Sequence, residues 1–334
     1  MAQLKKYTSR ILKQYLSFRP GETKLGENIT FLNPDEEVKD SKAPFVLLGV
    51  PEDIGVRANY GKTGTAAAWN ETLGSFLNIQ ENQFISGQEL LLLGEIDCTR
   101  EMEVASNLEP TDPNFFLKMG ELVEEIDQAL RQVVREVVEA GKRPIVVGGG
   151  HNNAYGMLTG SSDALHEGIN VLNIDAHTDL RRLEHRHSGN GFSYAIRDGA
   201  VKSYGVFGLH QNYTPQYIFD LMNQSSNRQF VLFEELTDLN RFTAFLEMLD
   251  EISTRPFGLE IDCDVIAGFP SSALSPTGFT LNAVREMVRA TAQKEQCKYL
   301  HLCEAIPTKQ YPAGKALSYL ISDFVKASNS INHN

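Results

Sequence analysis

The chain has 334 residues, of which 42% are hydrophobic and 22% are charged, a composition typical of a folded globular protein. Its formal net charge of -12 argues against nucleic acid or an anionic membrane as the main partner, although one local arginine can still dominate a small-molecule pocket. No apolar run reaches the ~20 residues that span a bilayer, and the first residues lack the apolar core of a signal peptide, so we expect a cytoplasmic protein.

The N-terminal part is predicted to differ from the rest of the chain. Apolar residues at helical spacing over 4–18 predict a helix, and a polar segment over 20–43, which contains Pro20 and Pro34, predicts an irregular connector. No linker rich in glycine, serine or proline divides the sequence. We therefore predict a single domain over 1–334, with 1–43 as an N-terminal helix and connector extension.

From residue 45 onward, strand-like and helix-like runs alternate. Strands are predicted over 45–50, 90–93, 144–148, 170–174, 203–208, 229–233, 257–261 and 299–303. Helices are predicted over 66–77, 115–140, 152–160, 215–223, 238–251, 282–293 and 315–327. This alternation predicts an α/β fold in which helices cover both faces of a parallel sheet. The four cysteines form no CxxC pair and are predicted to be reduced thiols: Cys98, Cys263, Cys297 and Cys303.

Three short motifs place histidines and aspartates directly after predicted strands. They are Gly148-Gly149-Gly150-His151, Asp175-Ala176-His177-Thr178-Asp179 and Asp262-Cys263-Asp264. Ligands of parallel sheets bind beyond the carboxyl ends of the strands, so these side chains are expected to meet. The alternate spacing within the second and third motifs directs their polar side chains to one side. For any single aspartate, capping of a helix N-terminus is an alternative explanation.

The residue types in these motifs predict a metal centre. Buried carboxylates are unfavourable unless they are paired or bind a metal. An oxygen-rich set with a minority of imidazoles suits Mn²⁺ better than structural Zn²⁺. Six such ligands fit two ions ~3.5–4 Å apart, and a pair of that kind lowers the pKa of a shared water toward neutrality.

The three motifs together resemble those of the arginase-like ureohydrolases, and the similarity runs from Leu47-Leu48-Gly49-Val50-Pro51 to Glu304. The resemblance implies two Mn²⁺ ions per chain, a three-layer α/β/α fold with a central eight-stranded parallel sheet, and a homotrimer or homohexamer. It implies that Asp175 and Asp262 bridge the two ions. His151 and Asp179 would complete one ion, and His177 and Asp264 the other.

The resemblance also implies hydrolysis of a C–N bond in a linear amidine or guanidine, with Asp179 and Glu304 as catalytic residues. Glu304 follows the last predicted strand, where relatives hold the cationic end of the substrate with a carboxylate. A charge-assisted hydrogen bond there orients the substrate carbon for attack. The alternative for Glu304 is a surface or capping residue after a strand.

Two departures from arginase are similar to formimidoylglutamases within the family. Arg181 stands where arginase has asparagine, and Ser188 stands where it has a catalytic-loop histidine. A guanidinium matches carboxylates bidentately, so N-formimino-L-glutamate, hydrolysed to L-glutamate and formamide in histidine degradation, is the predicted substrate. Ser188 and Asn190 are predicted substrate-binding residues beside Arg181 and Glu304. Arg181 can also be a surface residue, with Arg182 in its role.

Three further residues are less determined by the sequence. His185 and His187 lie near the same loop, and either is a candidate proton shuttle to the leaving group. Ala267 stands where many relatives have an aspartate that supports the metal site, which weakens the substrate prediction more than the metal prediction.

The alternatives come from within and outside this reaction class. Arginase, agmatinase or guanidinobutyrase activity would release urea, and a non-catalytic metal-binding relative would release nothing. The run from Gly55 to Thr63 resembles a phosphate-binding loop, but it has five residues between the glycines where that loop needs four. We predict instead that this run closes over the active site and that Arg57 helps to bind an anionic substrate.

Overall fold

The computed structural model describes residues 2–329, and the remaining residues of the predicted 1–334 domain lie outside the described part. Within it, one sheet contains nine strands: β1 (Gln3–Lys6), β2 (Phe45–Gly49), β3 (Leu90–Asp97), β4 (Arg143–Val147), β5 (Ile169–Ile174), β6 (Val201–Leu209), β7 (Arg228–Leu232), β8 (Phe257–Asp262) and β9 (Cys297–Cys303). Their order across the sheet is β1-β3-β2-β4-β9-β8-β5-β6-β7.

Twelve α-helices accompany the strands of the described residues. They are α1 (Leu12–Tyr15), α2 (Leu25–Asn28), α3 (Ile54–Ala58), α4 (Ala68–Phe76), α5 (Thr99–Ser106), α6 (Phe115–Glu139), α7 (Ala154–Leu165), α8 (Gly191–Arg197), α9 (Gln216–Asn223), α10 (Arg241–Ile252), α11 (Leu281–Ala292) and α12 (Ala313–Asn329). All the strands and helices predicted after residue 45 are present, and α2, α3, α5 and α8 are additional.

The sheet confirms the predicted fold class, with one added strand. Strands β2 to β9 pair with one another only in parallel, which gives the expected eight parallel strands. Alternate residues of these strands face opposite layers: Phe45 and Leu47 contact one apolar core, and Val46 and Leu48 the other. Helices α4, α10, α11 and α12 cover the first face, and α6 to α9 cover the second, so the fold has three layers.

The prediction of a helix over 4–18 is wrong for its first half. Residues Gln3–Lys6 form β1, which pairs antiparallel with β3 and places Leu4 opposite Ile96. An edge strand presents unpaired backbone groups, and β1 satisfies those of β3, so tertiary pairing overrides the local apolar spacing. Only Leu12–Tyr15 is α-helical in this segment.

Four central strands bring the polar motifs together. Strands β4, β9, β8 and β5 are neighbours in the sheet, and a predicted site residue follows or ends each of them. Parallel strands share one carboxyl edge, so His151 after β4, Glu304 after β9, Asp262 at the end of β8 and Asp175 after β5 converge. Among residues 2–329, no helix combines the length and apolar character needed to cross a membrane, and all four cysteines are buried and free.

Candidate metal centre

All six predicted metal ligands meet at the carboxyl edge of the sheet. They divide into two groups of mutually close ligand atoms that share Asp175: His151, Asp175, Asp179 and Asp262 in one, and Asp175, His177 and Asp264 in the other. This division separates His151 and Asp179 from His177 and Asp264, and it places Asp262, the second expected bridging residue, in the first group only. Asp175 belongs to both groups, as a bridging ligand would.

The first group surrounds one nitrogen of His151. Its Nδ1 atom lies 2.8 Å from an oxygen of Asp179 and 3.3 Å from oxygens of both Asp175 and Asp262. In the second group, Nδ1 of His177 lies 3.2 Å from Asp264 and 3.6 Å from Asp175. Each imidazole therefore directs a ring nitrogen toward carboxylate oxygens, which is the mixed nitrogen and oxygen donor set that suits Mn²⁺.

The electrostatics of the site fit a cation. Burial, with the neighbouring Asp264 and Asp175 carboxylates, raises the pKa of Asp262, and burial and Asp175 also raise the pKa of Asp179. Both nitrogens of His151 and Oδ1 of Asp264 are buried without a hydrogen-bond partner among the described residues. A divalent cation would reverse the repulsion between the carboxylates and would give these atoms a partner.

Two carboxylate residues of the site have strained backbones. Asp179 has φ of 47° and Glu304 has φ of 61°, both in the left-handed region that non-glycine residues rarely adopt. Such conformations cost of order 1–3 kcal/mol each and persist only where the surroundings enforce them. The same two residues are the ones to which the sequence analysis gives catalytic roles.

A buried carboxylate that the sequence analysis did not identify supports the glycine-rich loop. Glu52, with no exposed surface, accepts hydrogen bonds from Ile54 N–H at 2.7 Å and Gly150 N–H at 2.9 Å. The Asn153 and Asn152 side-chain amides donate to it at 2.9 Å and 3.2 Å. Glu52 therefore fixes the backbone that presents His151. The available signal was an acidic residue two positions after the first predicted strand.

Close packing around the same loop explains why it contains glycine. Gly149 has φ of 73°, and a Cβ atom there would lie 2.1 Å from Nδ2 of Asn153 and 2.5 Å from Oε1 of Glu52. Any larger residue would displace the carboxylate from its donors.

Replacing Glu52 with alanine is expected to destabilise the fold by about 3–5 kcal/mol, because several buried donors lose their acceptor together. Urea unfolding of the variant measures this loss. The exposed Glu124 on α6 gives a matched control, and Glu124→Ala should change stability by less than about 0.5 kcal/mol. Equal stability of the two variants would contradict the supporting role of Glu52.

A cavity of about 490 Å³ opens above the cluster. Its floor contains Asp262, Asp264 and Glu304, and Arg181 forms part of its wall. The remaining lining residues are Asn59, Tyr60, Gly61, His177, Thr178, Asp179, Ser188, Tyr213, Thr214, Pro215, Tyr217, Ile218, Ser272 and Ala273. The loop after α3 thus lies over the site, as predicted, and Tyr213 packs its ring 5.6 Å from that of His177.

A buried acidic residue and an exposed basic residue both line this cavity. Glu304 is 3% exposed; its Oε1 accepts a hydrogen bond from the His151 N–H at 2.7 Å, and its Oε2 is buried without a partner among the described residues. Burial raises the pKa of Glu304 to about 8, and a cationic group bound beside it would favour the ionised carboxylate. Arg181 is exposed, and within residues 2–329 its guanidinium forms no ion pair. Arg182 does not line the cavity and lies over the ring of Tyr217, 5.4 Å from its centroid.

The loop that follows Arg181 contains residues of different roles. Ser188 lines the cavity, and its hydroxyl accepts a hydrogen bond from the Asn59 amide at 3.1 Å. Asn190 does not line the cavity, so its position does not support the predicted substrate contact. Its side chain instead accepts from Arg186 at 2.6 Å and donates to the His185 carbonyl at 2.9 Å, which holds the loop together.

Arg186 anchors this loop and was missed by the sequence analysis. It is 2% exposed, and its guanidinium lies 2.9 Å from the buried Asp127 of α6. The same group lies over the rings of Tyr155 and Tyr194. The sequence gives no signal that this arginine is buried, because its partner is distant in the chain.

The other candidates near the site lie outside the cavity lining. Nε2 of His185 lies 3.0 Å from the Ala58 carbonyl, and His187 is 1% exposed and accepts a hydrogen bond from the Gly189 N–H at 3.0 Å. Neither position supports a proton shuttle. Arg57 donates to the Ala105 carbonyl at 2.9 Å instead of reaching the cavity.

Ala267 also lies outside the cavity lining. Its side chain is exposed, and its N–H donates to the Phe279 carbonyl at 2.9 Å. Ala267 therefore stabilises the segment after β8 through this backbone hydrogen bond and not through its side chain.

His187 is expected to make stability pH-dependent. Burial lowers its pKa to about 4, whereas the unfolded chain has a pKa of about 6.5. The unfolded state therefore binds a proton first, and this contribution to stability is present above about pH 6.5 and is lost as the pH falls toward about 4. When the pH falls from 7 to 5, the free energy of unfolding of the unaltered protein should decrease by about 2 kcal/mol more than that of the His187→Gln variant. Urea unfolding at the two pH values measures this difference. Parallel pH profiles would contradict a neutral buried His187.

Comparison with known proteins places the chain among amidine hydrolases. Residues 43–322 match the arginase family. A formimidoylglutamase from Citrobacter koseri is 27% identical over 271 residues, which cover 79% of this chain and 78% of that protein. A formimidoylglutamase from Macrococcus caseolyticus is 26% identical over 268 residues, covering 78% and 77% of the two chains.

Solved structures show the same fold. Formimidoylglutamase from Bacillus subtilis superposes with a TM-score of 0.75 at 16% identity, covering 97% of this chain and 99% of that chain. Formiminoglutamase from Trypanosoma cruzi with Mn²⁺ gives 0.73 at 17% identity, covering 92% and 98%. Proclavaminate amidino hydrolase from Streptomyces clavuligerus gives 0.68 at 14% identity, covering 88% and 95%.

Proposed function

Because the chain belongs to the arginase family, we propose that it is a manganese-dependent hydrolase that converts N-formimino-L-glutamate and water to L-glutamate and formamide. The observation that carries the substrate assignment is the distribution of charge in the cavity. Buried Glu304 and exposed Arg181 line the same cavity and suit a substrate with a cationic amidine at one end and carboxylates at the other. The formimidoylglutamase relatives support the same assignment.

We propose that the chain holds two Mn²⁺ ions. His151 and Asp179 would bind one, His177 and Asp264 the other, and Asp175 and Asp262 both. The shared position of Asp175 and the unpartnered atoms of His151 and Asp264 support this proposal. Bound there, the ions would supply Lewis acidity and a water that ionises near neutral pH.

The side chains of the protein then orient the substrate and accept protons. Glu304 Oε2 accepts hydrogen bonds from the amidine and positions its carbon above the cluster, while Arg181 binds the carboxylates. Asp179 lines the cavity and is the carboxylate placed to accept a proton from the attacking water. Ser188 also lines the cavity, and we propose that it contacts the substrate beside Arg181.

A substrate panel tests the proposal. Full-length protein loaded with Mn²⁺ is assayed for formamide release from N-formimino-L-glutamate and for urea release from arginine, agmatine and 4-guanidinobutyrate. We expect formamide release only, abolished by excess chelator and restored by Mn²⁺. Urea release would assign one of the other family activities, and no release from any substrate would favour a non-catalytic metal-binding protein.

Arg181→Ala is expected to raise KM for N-formimino-L-glutamate by about 10–100-fold with little change in metal content, because a charge-assisted contact contributes about 1.5–3 kcal/mol. Steady-state kinetics and metal analysis measure both quantities. Arg182→Ala is the matched control, since that guanidinium lies outside the cavity lining. The same KM in Arg181→Ala and the unaltered enzyme would show that Arg181 is a surface residue only.

Three further properties belong to the proposal. A single ureohydrolase domain is supported by one sheet that uses strands from both ends of the described chain. A cytoplasmic location is consistent with four free cysteines. A homotrimer or homohexamer is expected from the family, and light scattering of the full chain measures it.

A further inference from the structure

A second group of potential metal ligands lies behind the proposed manganese cluster. One ring nitrogen of His151, one of His301 and the sulfur of Cys303 lie within 4.8 Å of one another, and all three residues are fully buried. His301 and Cys303 belong to β9, where residues two apart face the same side of the sheet. The group therefore combines two imidazoles and a thiol.

The unpartnered atoms of this group are not explained by the manganese cluster. Nδ1 of His151 faces the aspartates, so a metal there leaves Nε2 on the opposite side of the ring, 3.5 Å from the buried Glu260. Nδ1 of His301 lies 2.5 Å from Glu260, which leaves its Nε2 buried without a partner among the described residues. Buried polar atoms without partners are rare and indicate an unfilled role.

The donor types indicate which ion fits. Thiolate with imidazole is the set that soft and borderline ions such as Zn²⁺ and Co²⁺ prefer, whereas Mn²⁺ prefers carboxylates. Glu260 accepts a hydrogen bond from the Tyr299 hydroxyl at 2.6 Å and lies 2.5 Å from Nδ1 of His301, so it fixes the orientation of the His301 ring. One Cys and two His supply three of the four ligands that Zn²⁺ usually takes.

We propose that His151, His301 and Cys303 form a zinc-selective site behind the manganese cluster, and that Zn²⁺ bound there competes with Mn²⁺ for His151. Zinc binding forms bonds from the metal to the Cys303 sulfur and to one nitrogen of each imidazole, and it releases the thiol proton to solvent. A neutral His151 keeps its proton on the other nitrogen, so it can bind zinc or manganese but not both. Only the competition rests on the proposed function, because it requires His151 to bind manganese. Zinc binding itself does not.

Cobalt spectroscopy tests the site directly. Full-length protein stripped with chelator is titrated with Co²⁺, which shows an intense near-ultraviolet sulfur-to-metal charge-transfer band only when a thiolate binds it. We expect this band in the unaltered protein and its loss in Cys303→Ser. Cys297→Ser is the matched control, because Cys297 is equally buried on β9 but at the opposite end of the strand, and it should keep the band.

Zinc affinity and manganese content complete the test. Cys303→Ser should weaken Zn²⁺ binding by at least about a hundredfold, while circular dichroism reports that the variant is folded. Saturating Zn²⁺ should displace at least one Mn²⁺ ion per chain from the unaltered protein. Absence of the band in the unaltered protein, or its persistence in Cys303→Ser, would overturn the zinc site. Unchanged Mn²⁺ content under saturating Zn²⁺ would overturn the competition alone.

Discussion

Asp175→Asn should reduce the Mn²⁺ content from about two ions per chain to one or none and lower hydrolytic activity by about 10³-fold or more. Asp175 is fully buried and is the residue that belongs to both ligand groups. An amide keeps the shape of the side chain but removes the negative charge that a bridging ligand shares between two cations. Metal analysis of the purified variant and turnover of N-formimino-L-glutamate measure the two effects.

The control separates loss of metal from loss of stability. Asp323 of α12 is 6% exposed and pairs with Arg285 and Arg289, remote in sequence from the motifs. Asp323→Asn makes the same chemical change at another buried carboxylate and should leave metal content unchanged. Asp262→Asn should behave like Asp175→Asn. Unaltered stoichiometry in both of these variants would refute the bridging assignment.

Glu304→Gln is expected to lower kcat/KM for N-formimino-L-glutamate by about a hundredfold without loss of Mn²⁺. The carboxylate is buried, its Oε2 has no partner within the described residues, and it lines the cavity floor. A neutral amide of the same size loses the charge-assisted bond to the amidine, which is worth about 1.5–3 kcal/mol. The backbone N–H of His151 still finds an acceptor in the amide oxygen.

Measuring metal content together with kinetics distinguishes a substrate contact of Glu304 from a role in supporting the metal cluster. Glu295 is exposed near the opposite end of β9, and Glu295→Gln should leave both kinetics and metal binding as they are. If Glu304→Gln loses metal together with activity, the residue supports the cluster and does not anchor the substrate. If kcat/KM stays within about threefold, the proposed contact to the amidine is wrong.

Local patterns in the sequence were sufficient to predict the sheet and the metal motifs. The parallel strands β2 to β9 are short apolar runs between helical segments, and both signals depend only on neighbouring residues. The motif residues follow directly from these strands, so placing the strands also placed His151, Asp175 and Asp262 at one edge of the sheet. Arg181 and Ser188 line the cavity, and both lie close in sequence to Asp179.

Residues whose roles depend on distant partners could not be predicted in this way. Asn190 has the residue type of a substrate ligand, but Arg186 occupies its oxygen, and the charge of Arg186 is balanced by Asp127, 59 positions earlier in the chain. The backbone of β3 converts Gln3–Lys6 from a predicted helix into a strand.

The amino-acid sequence by itself determined the fold class and the polar motifs that share one edge of the sheet, since strand periodicity and motif spacing are local properties. The expected reaction type came from the resemblance of those motifs to the arginase family. Only the tertiary structure decided which buried groups have hydrogen-bond partners among residues 2–329: Glu52 beneath the glycine-rich loop has several, whereas one oxygen of Glu304 and one nitrogen of His301 have none. The physical reason is that hydrogen-bond satisfaction and burial are set by residues far apart in the chain, and their distances exist only once the chain has folded.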